Sequence, residues 1–238
     1  MGGHGRALET LQEVLSHYTK EELEEIDPAS IVDEVYAALR VNYSHIFESE
    51  FFQDPSNCQE VLAAIFSRRR YFLSESVGRT GMTIDRLGSF GLFRWTRDDI
   101  FEGHLECAFI LLVMLVQNLA KKLGEVHELF THSMFVWQPF EQFVAFYRRV
   151  KSIVFCETPV GLLSFHAGAR FGSVNRVVIE ELQPCTIVEA VQQQDTKSGV
   201  DESKMNTIVI NGADALTGNI CMRVQLMIDG QQVKCAMK

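Results

Sequence analysis

The chain lacks a basic surplus. Its 238 residues hold 22 Lys and Arg against 31 Asp and Glu, a formal net charge of −9. Such a chain has no global electrostatic drive toward DNA, RNA or anionic lipid, so no DNA partner is expected. It also lacks a long apolar run. The longest, Cys107 to Val116, is bounded by Glu106 and Gln117. It is about half the ~20 residues that a bilayer-spanning helix needs. No transmembrane segment is expected, and the run reads as a core helix. Six cysteines are present (Cys58, Cys107, Cys156, Cys185, Cys221 and Cys235), but no two stand at CxxC spacing. No secretory signal pattern opens the sequence. Reduced thiols in a cytoplasmic compartment are expected.

No internal repeat or low-complexity tract is present. Apolar residues make up 47% and charged residues 22%, which excludes a disordered tail, a collagen-like repeat and a coiled-coil rod. At roughly 100–200 residues per domain the length allows one or two domains. The acidity is uneven. Residues 1–150 hold 14 Lys and Arg against 22 Asp and Glu, while the remainder is nearly balanced.

Residues 1–5 read as a flexible lead. Leu8, Leu11, Val14, Leu15 and Tyr18 follow at helical spacing. Thr19 with Glu22 forms a capping-box pattern for a short acidic turn. Asp27-Pro28 signals a helix start, with Ile31, Val35, Leu39 and Tyr43 inward. Asp54-Pro55-Ser56 opens another helix. Residues 77–95 break helical periodicity with Gly78, Gly81, Gly88 and Gly91, and read as an ordered loop with room for a short helix. Thr96 with Asp99 reads as a second capping box, opening a buried helix that runs to about Leu123 and carries His104. Lys121, Lys122 and Gly124 mark its stop.

After Glu157-Thr158-Pro159 the texture changes. Residues 160–166, 175–182, 186–193, 206–210, 220–228 and 231–237 read as strands. Asp229-Gly230 is a two-residue hairpin turn signal. It sets Leu226 opposite Val233, Val224 opposite Cys235 and Met222 opposite Met237, all apolar. The expected fold class is α+β. A helical region, 6–157, packs against a mainly antiparallel C-terminal sheet, 158–238, which is a meander ending in a β-hairpin. The two regions are expected to form one cooperative unit.

Three groups of residues are candidates for a site. Arg68, Arg69, Arg70, Arg79, Arg86, Arg94 and Arg97 crowd a lysine-free stretch of thirty residues. Together they could clamp a phosphate or carboxylate, or they could pair with acids of the same region such as Glu22, Glu24, Glu25, Asp33 and Glu34. Phe130, Phe135, Trp137, Phe140, Phe143 and Tyr147 could line an apolar pocket or a partner groove, or could serve as core. After methionine removal, Gly2, Gly3 and His4 would offer a square-planar Cu or Ni chelate. The same Gly2 grazes a myristoylation signal, but Arg6 stands at its Ser/Thr position.

Catalytic patterns are weak. Ser164 and His166 would share one face of a strand, and Cys156 lies near them in sequence. No GxSxG elbow, P-loop, HExxH or third orienting group accompanies them. No catalytic residue and no cofactor are assigned. Leu119 to Val126 is similar to a helix motif of cell-death regulators, but Glu125 stands where that motif has aspartate. The strand-rich C-terminal third does not suit that all-helical fold.

The expected function is therefore a non-catalytic protein-interaction or scaffold role. The expected partner is a protein that adds a strand to the C-terminal strand, should that strand lie at a sheet edge. The alternatives are a small-molecule or lipid-binding domain with an aromatic-lined pocket, and an enzyme using the arginine-rich anion site.

Overall fold

A computed structural model of the chain describes residues 5–123, 140–166, 177–179, 182–190, 205–211, 220–228 and 231–237. Its contacts divide the chain into two units. The first comprises residues 1–65 and 69–135, the second residues 66–68 and 136–238.

The first unit is built by helices whose starts follow the capping signals. Helix α1 spans Gly5–Leu15 and packs on α3, Pro28–Phe47. Between them lies α2, Lys20–Glu25, entered through a complete capping box. The Glu22 amide donates to Thr19 Oγ1 at 3.2 Å, and the Thr19 amide donates to Glu22 Oε2 at 2.8 Å. Asp27 caps α3 by accepting from the Ala29 amide at 3.0 Å, with Pro28 at the first helical position. These contacts satisfy helix-start amides that would otherwise have no intrahelical partner. Val35, Leu39, Tyr43 and Ile46 form the buried face of α3.

Short α4, Glu50–Gln53, leads into α5, Pro55–Ser67, where Asp54 accepts from the Ser56 amide at 2.8 Å. Phe52 is the centre of an aromatic cluster with Phe47, Phe51, Phe90 and Phe93. Strand β1, Arg70–Tyr71, and helix α6, Ile84–Ser89, follow.

The stretch 93–107 departs from expectation. It is a β-hairpin, with β2 at Phe93–Arg97 and β3 at Gly103–Cys107, and the core helix α7 begins only at Phe109 and ends at Lys122. The sheet order is β1-β3-β2, antiparallel throughout. Thr96 and Asp99 therefore make no helix cap. Thr96 Oγ1 donates to Glu106 Oε2 across the hairpin at 2.7 Å. Asp99 Oδ1 accepts from the Phe101 and Glu102 amides at 2.9 and 2.8 Å, which closes the hairpin turn. The same short polar side chains serve caps and turns alike. Gly103 decides between them. A Cβ there would lie 2.3 Å from the Thr96 carbonyl oxygen and 2.6 Å from the Trp95 ring, so the two strands close tightly only over glycine.

The second unit begins with α8, Phe140–Val154, which packs against β6, β7 and β8 (Thr186–Ala190, Thr207–Asn211 and Ile220–Ile228). With β9, Gln231–Met237, these strands form a sheet of order β6-β7-β8-β9. β7, β8 and β9 are the expected antiparallel meander, and β6 joins β7 in parallel. The β8–β9 register sets Leu226 opposite Val233, Val224 opposite Cys235 and Met222 opposite Met237, as the turn signal implies. A separate antiparallel pair joins β4, Val160–Gly161, to β5, Val178–Ile179.

The expected strand 160–166 is corrected. After β4 the chain turns into the short helix α9, Leu162–Phe165, with His166 as its C-cap. Phe165 is fully buried, edge-on to Phe155 at 5.7 Å. One large anchor at the end of a helical turn, rather than alternation, sets the backbone here. Ser164 and His166 thus share no strand face.

Candidate functional site

Among the described residues the last strand, β9, lies at the end of its sheet. Seven-residue β9 is the end strand of its sheet, paired with β8 and, among the described residues, with no further strand. Residues flanking a two-residue hairpin turn exchange both main-chain hydrogen bonds, and the pattern alternates from there. Ile228 pairs with Gln231, so the amides of Gln231, Val233, Cys235 and Met237 serve β8. Those of Gln232, Lys234 and Ala236 point to the other side. A row of main-chain donors and acceptors at this spacing is what an incoming extended segment requires.

The arginines are placed as follows. Arg68 adopts a left-handed backbone, φ 49°, just after α5 and groups with the second unit. The other six belong to the first unit. Arg69 faces Glu75 at 3.5 Å and lies over the Tyr71 ring at 5.0 Å. Arg70 reaches Asp99 at 3.8 Å, Arg79 reaches Glu60 at 3.5 Å and Arg94 reaches Glu106 at 2.8 Å. Arg97 donates to the carbonyls of Asp99 and Ile100. Arg86 is exposed on α6. Four arginines thus meet four different carboxylates, none of them among the N-terminal acids expected as partners. All four guanidinium groups are mostly exposed, and exposed pairs of this kind hold weakly.

His104 lies on β3, not on a helix, and is buried. Its Nδ1 is 2.8 Å from Asp98 Oδ2 and its Nε2 is 3.1 Å from Glu106 Oε1. Both ring nitrogens thus lie within hydrogen-bond distance of a carboxylate oxygen. Bonds from Thr96, then from Arg94 and His104, hold the Glu106 carboxyl down at about 2. This network locks the β2–β3 hairpin and presents Ile100 and Phe101 at its tip, 71% and 69% exposed.

Of the aromatic candidates, Phe130, Phe135 and Trp137 lie outside the described residues, as does the Phe140 side chain. Phe143 and Tyr147 sit on α8, stacked at 6.2 Å, and Tyr147 meets Phe66 edge-on at 5.4 Å. Gly2, Gly3 and His4 also lie outside the described residues.

Sequence reasoning missed one group in the second unit. Lys151 of α8 is buried, with its ammonium donating to the Phe165 carbonyl at 2.6 Å. It lies 4.8 Å from the Tyr147 ring centre and 5.5 Å from that of Phe165. Burial, then the Arg148 charge, pushes its pKa down to about 8. Burial, with Lys151 and Arg148 adding to it, pushes His166 down to about 4. Next to Lys151, Ser152 accepts from the Cys185 amide at 2.8 Å, and burial pushes the Cys185 thiol up to about 11. The available signal was a lysine four residues after Tyr147, on the face that α8 buries.

Among the described residues no helix is long and apolar enough to cross a membrane. No protein-family model matches the chain, and no solved structure matches it. The chain is similar to an effector protein. The relative is Crinkler effector protein 108 of Phytophthora sojae, 59% identical over 251 aligned positions that cover 99% of this chain. The chain spans about 30% of that protein's length.

Proposed function

We propose that this chain is a non-catalytic protein-interaction region of an effector-type protein, and that it takes its partner by strand addition along β9. The observation that carries this reading is the position of β9 at the end of a four-stranded sheet. The length of the strand supports it, because seven residues offer a longer ladder than the five of β6 at the opposite edge. Likeness to an effector protein supports an interaction role. The working compartment is reducing and cytoplasmic. In keeping with that, Cys58, Cys107, Cys156 and Cys185 form no disulfide among the described residues.

Proline scanning tests the reading, since proline is tolerated on an edge strand only where its missing N–H faced outward. Ala236→Pro removes an outward amide and spares the β8–β9 ladder, whereas Val233→Pro breaks that ladder. With a photo-crosslinking residue at position 232, incubation in cytosolic extract is expected to give discrete protein adducts. Ala236→Pro should abolish them while the circular dichroism spectrum stays unchanged. Adducts that survive Ala236→Pro, or that form equally from the exposed position of Val41 in the first unit, would refute strand addition.

A further inference from the structure

β9 contains a single charged residue, Lys234, at its centre. Of Gln232, Lys234 and Ala236, whose amides face away from β8, the middle residue is lysine. A second copy of the chain is the first occupant to weigh. Two β9 strands meeting edge to edge about a two-fold axis run antiparallel. The register that pairs all seven residues sets 232 opposite 236, 234 opposite 234 and 236 opposite 232. It therefore puts Lys234 against the same lysine of the second copy, with Cβ atoms roughly 4.5–5.5 Å apart. Like charges so placed are destabilising, and lysine on an edge strand is a known guard against such pairing. The other registers that face outward amides with outward amides set 232 opposite 234, or 234 opposite 236. They avoid the clash of charge but shorten the ladder to 231–235 or 233–237. Self-pairing is thus opposed where its overlap is greatest. A foreign strand with a carboxylate at that position gains where a copy loses.

We infer that Lys234 selects the partner strand: β9 accepts an extended segment of another protein that carries Asp or Glu opposite Lys234, and rejects a second copy of itself. The inference rests on strand addition along β9. Its test uses the full chain and labelled peptides of the 231–237 sequence, with Cys235→Ser throughout and Lys234, Lys234→Gln or Lys234→Glu at the centre. Affinity is read by fluorescence anisotropy at physiological salt.

The expected order is Glu, then Gln, then Lys, with the Glu peptide roughly 2- to 30-fold tighter than the Lys peptide. The order should reverse on a Lys234→Glu chain, and all binding should be lost on an Ala236→Pro chain. If the peptides bind equally, or the order fails to reverse, while Ala236→Pro still abolishes binding, strand addition stands and the selector role falls. If no peptide shows binding that Ala236→Pro removes, both fall.

Discussion

Lys151 offers the sharpest quantitative test of the second unit. It is a buried ammonium, 6% exposed, held against the Phe165 carbonyl and two aromatic rings. Burial first, and the neighbouring Arg148 second, lower its pKa from 10.5 to about 8. The unfolded chain therefore keeps the proton between pH 8 and 10.5, where the folded chain releases it. Stability rises with pH wherever the unfolded state binds more protons. The cost of the buried charge is fully present below pH 8 and is relieved as the pH climbs through the folded pKa toward the unfolded one. Integrated from pH 7 to pH 10, the relief is about 2.5 kcal/mol, and about 1.2 kcal/mol if the folded pKa were a unit higher. Lys151→Met removes the ionisation but keeps an unbranched side chain in the same space. Its effect at one pH mixes lost charge with the lost bond to Phe165, so the informative quantity is the difference between wild type and variant across pH. Urea unfolding followed by circular dichroism, at half-unit steps from pH 7 to pH 10, measures it. Ionisation of tyrosines remote from position 151 is common to both proteins and cancels. The wild type should gain on the variant by at least ~1 kcal/mol over the range. A difference curve flat to within ~0.5 kcal/mol would refute the assignment of Lys151 as a buried cation.

Two further perturbations follow from the geometry. His166, pushed down to about 4 by burial and its cationic neighbours, stays neutral in the folded chain while the unfolded chain takes a proton near 6.5. Stability should fall as the pH drops from 6.5 to 4, and His166→Gln should flatten that fall in acid-unfolding curves; an unchanged slope would contradict the placement. Gly103→Ala forces a Cβ to within 2.3 Å of the Thr96 carbonyl, so it should cost about 1–3 kcal/mol or more in urea unfolding, whereas Gly81→Ala meets no atom within 4 Å and is strained only through its φ of 67°.

What the sequence disclosed and what it hid differ in kind. Local chemistry was readable where one pattern had one outcome. Thr19 and Glu22 form the capping box they spell, and Asp27-Pro28 starts a helix. Asp229-Gly230 with flanking alternation sets the register of β8 and β9 residue for residue. It was not readable where one pattern has two outcomes. Thr96 and Asp99 spell a helix cap, yet the first bonds across a hairpin and the second closes its turn. What resolves them is the fit of Gly103 beneath Trp95, a contact between residues eight apart that no cap rule contains. Lys151 was overlooked because a lysine reads as surface unless the helix face is followed through it, and its acceptor, the Phe165 carbonyl, comes from another element.

The candidate site shows the same divide more sharply. That residues 231–237 form a strand, and which residues they face on β8, follows from turn and alternation. Whether the far side of that strand is covered does not, because coverage depends on where the remaining strands enter the sheet. β6 could have closed the sheet beside β9. It pairs instead in parallel with β7, at the opposite end of the sheet. A parallel neighbour needs a crossover, and nothing in the local pattern of β6 says which strand it will join. Among the described residues the end position of β9 is thus a property of strand order, and α8 packs across the other three strands, β6, β7 and β8. The central lysine acquires its meaning only then. On an inner strand Lys234 would be one more polar position of an alternating pattern; on the outer strand it stands where a second copy, paired along the full strand, would place its own.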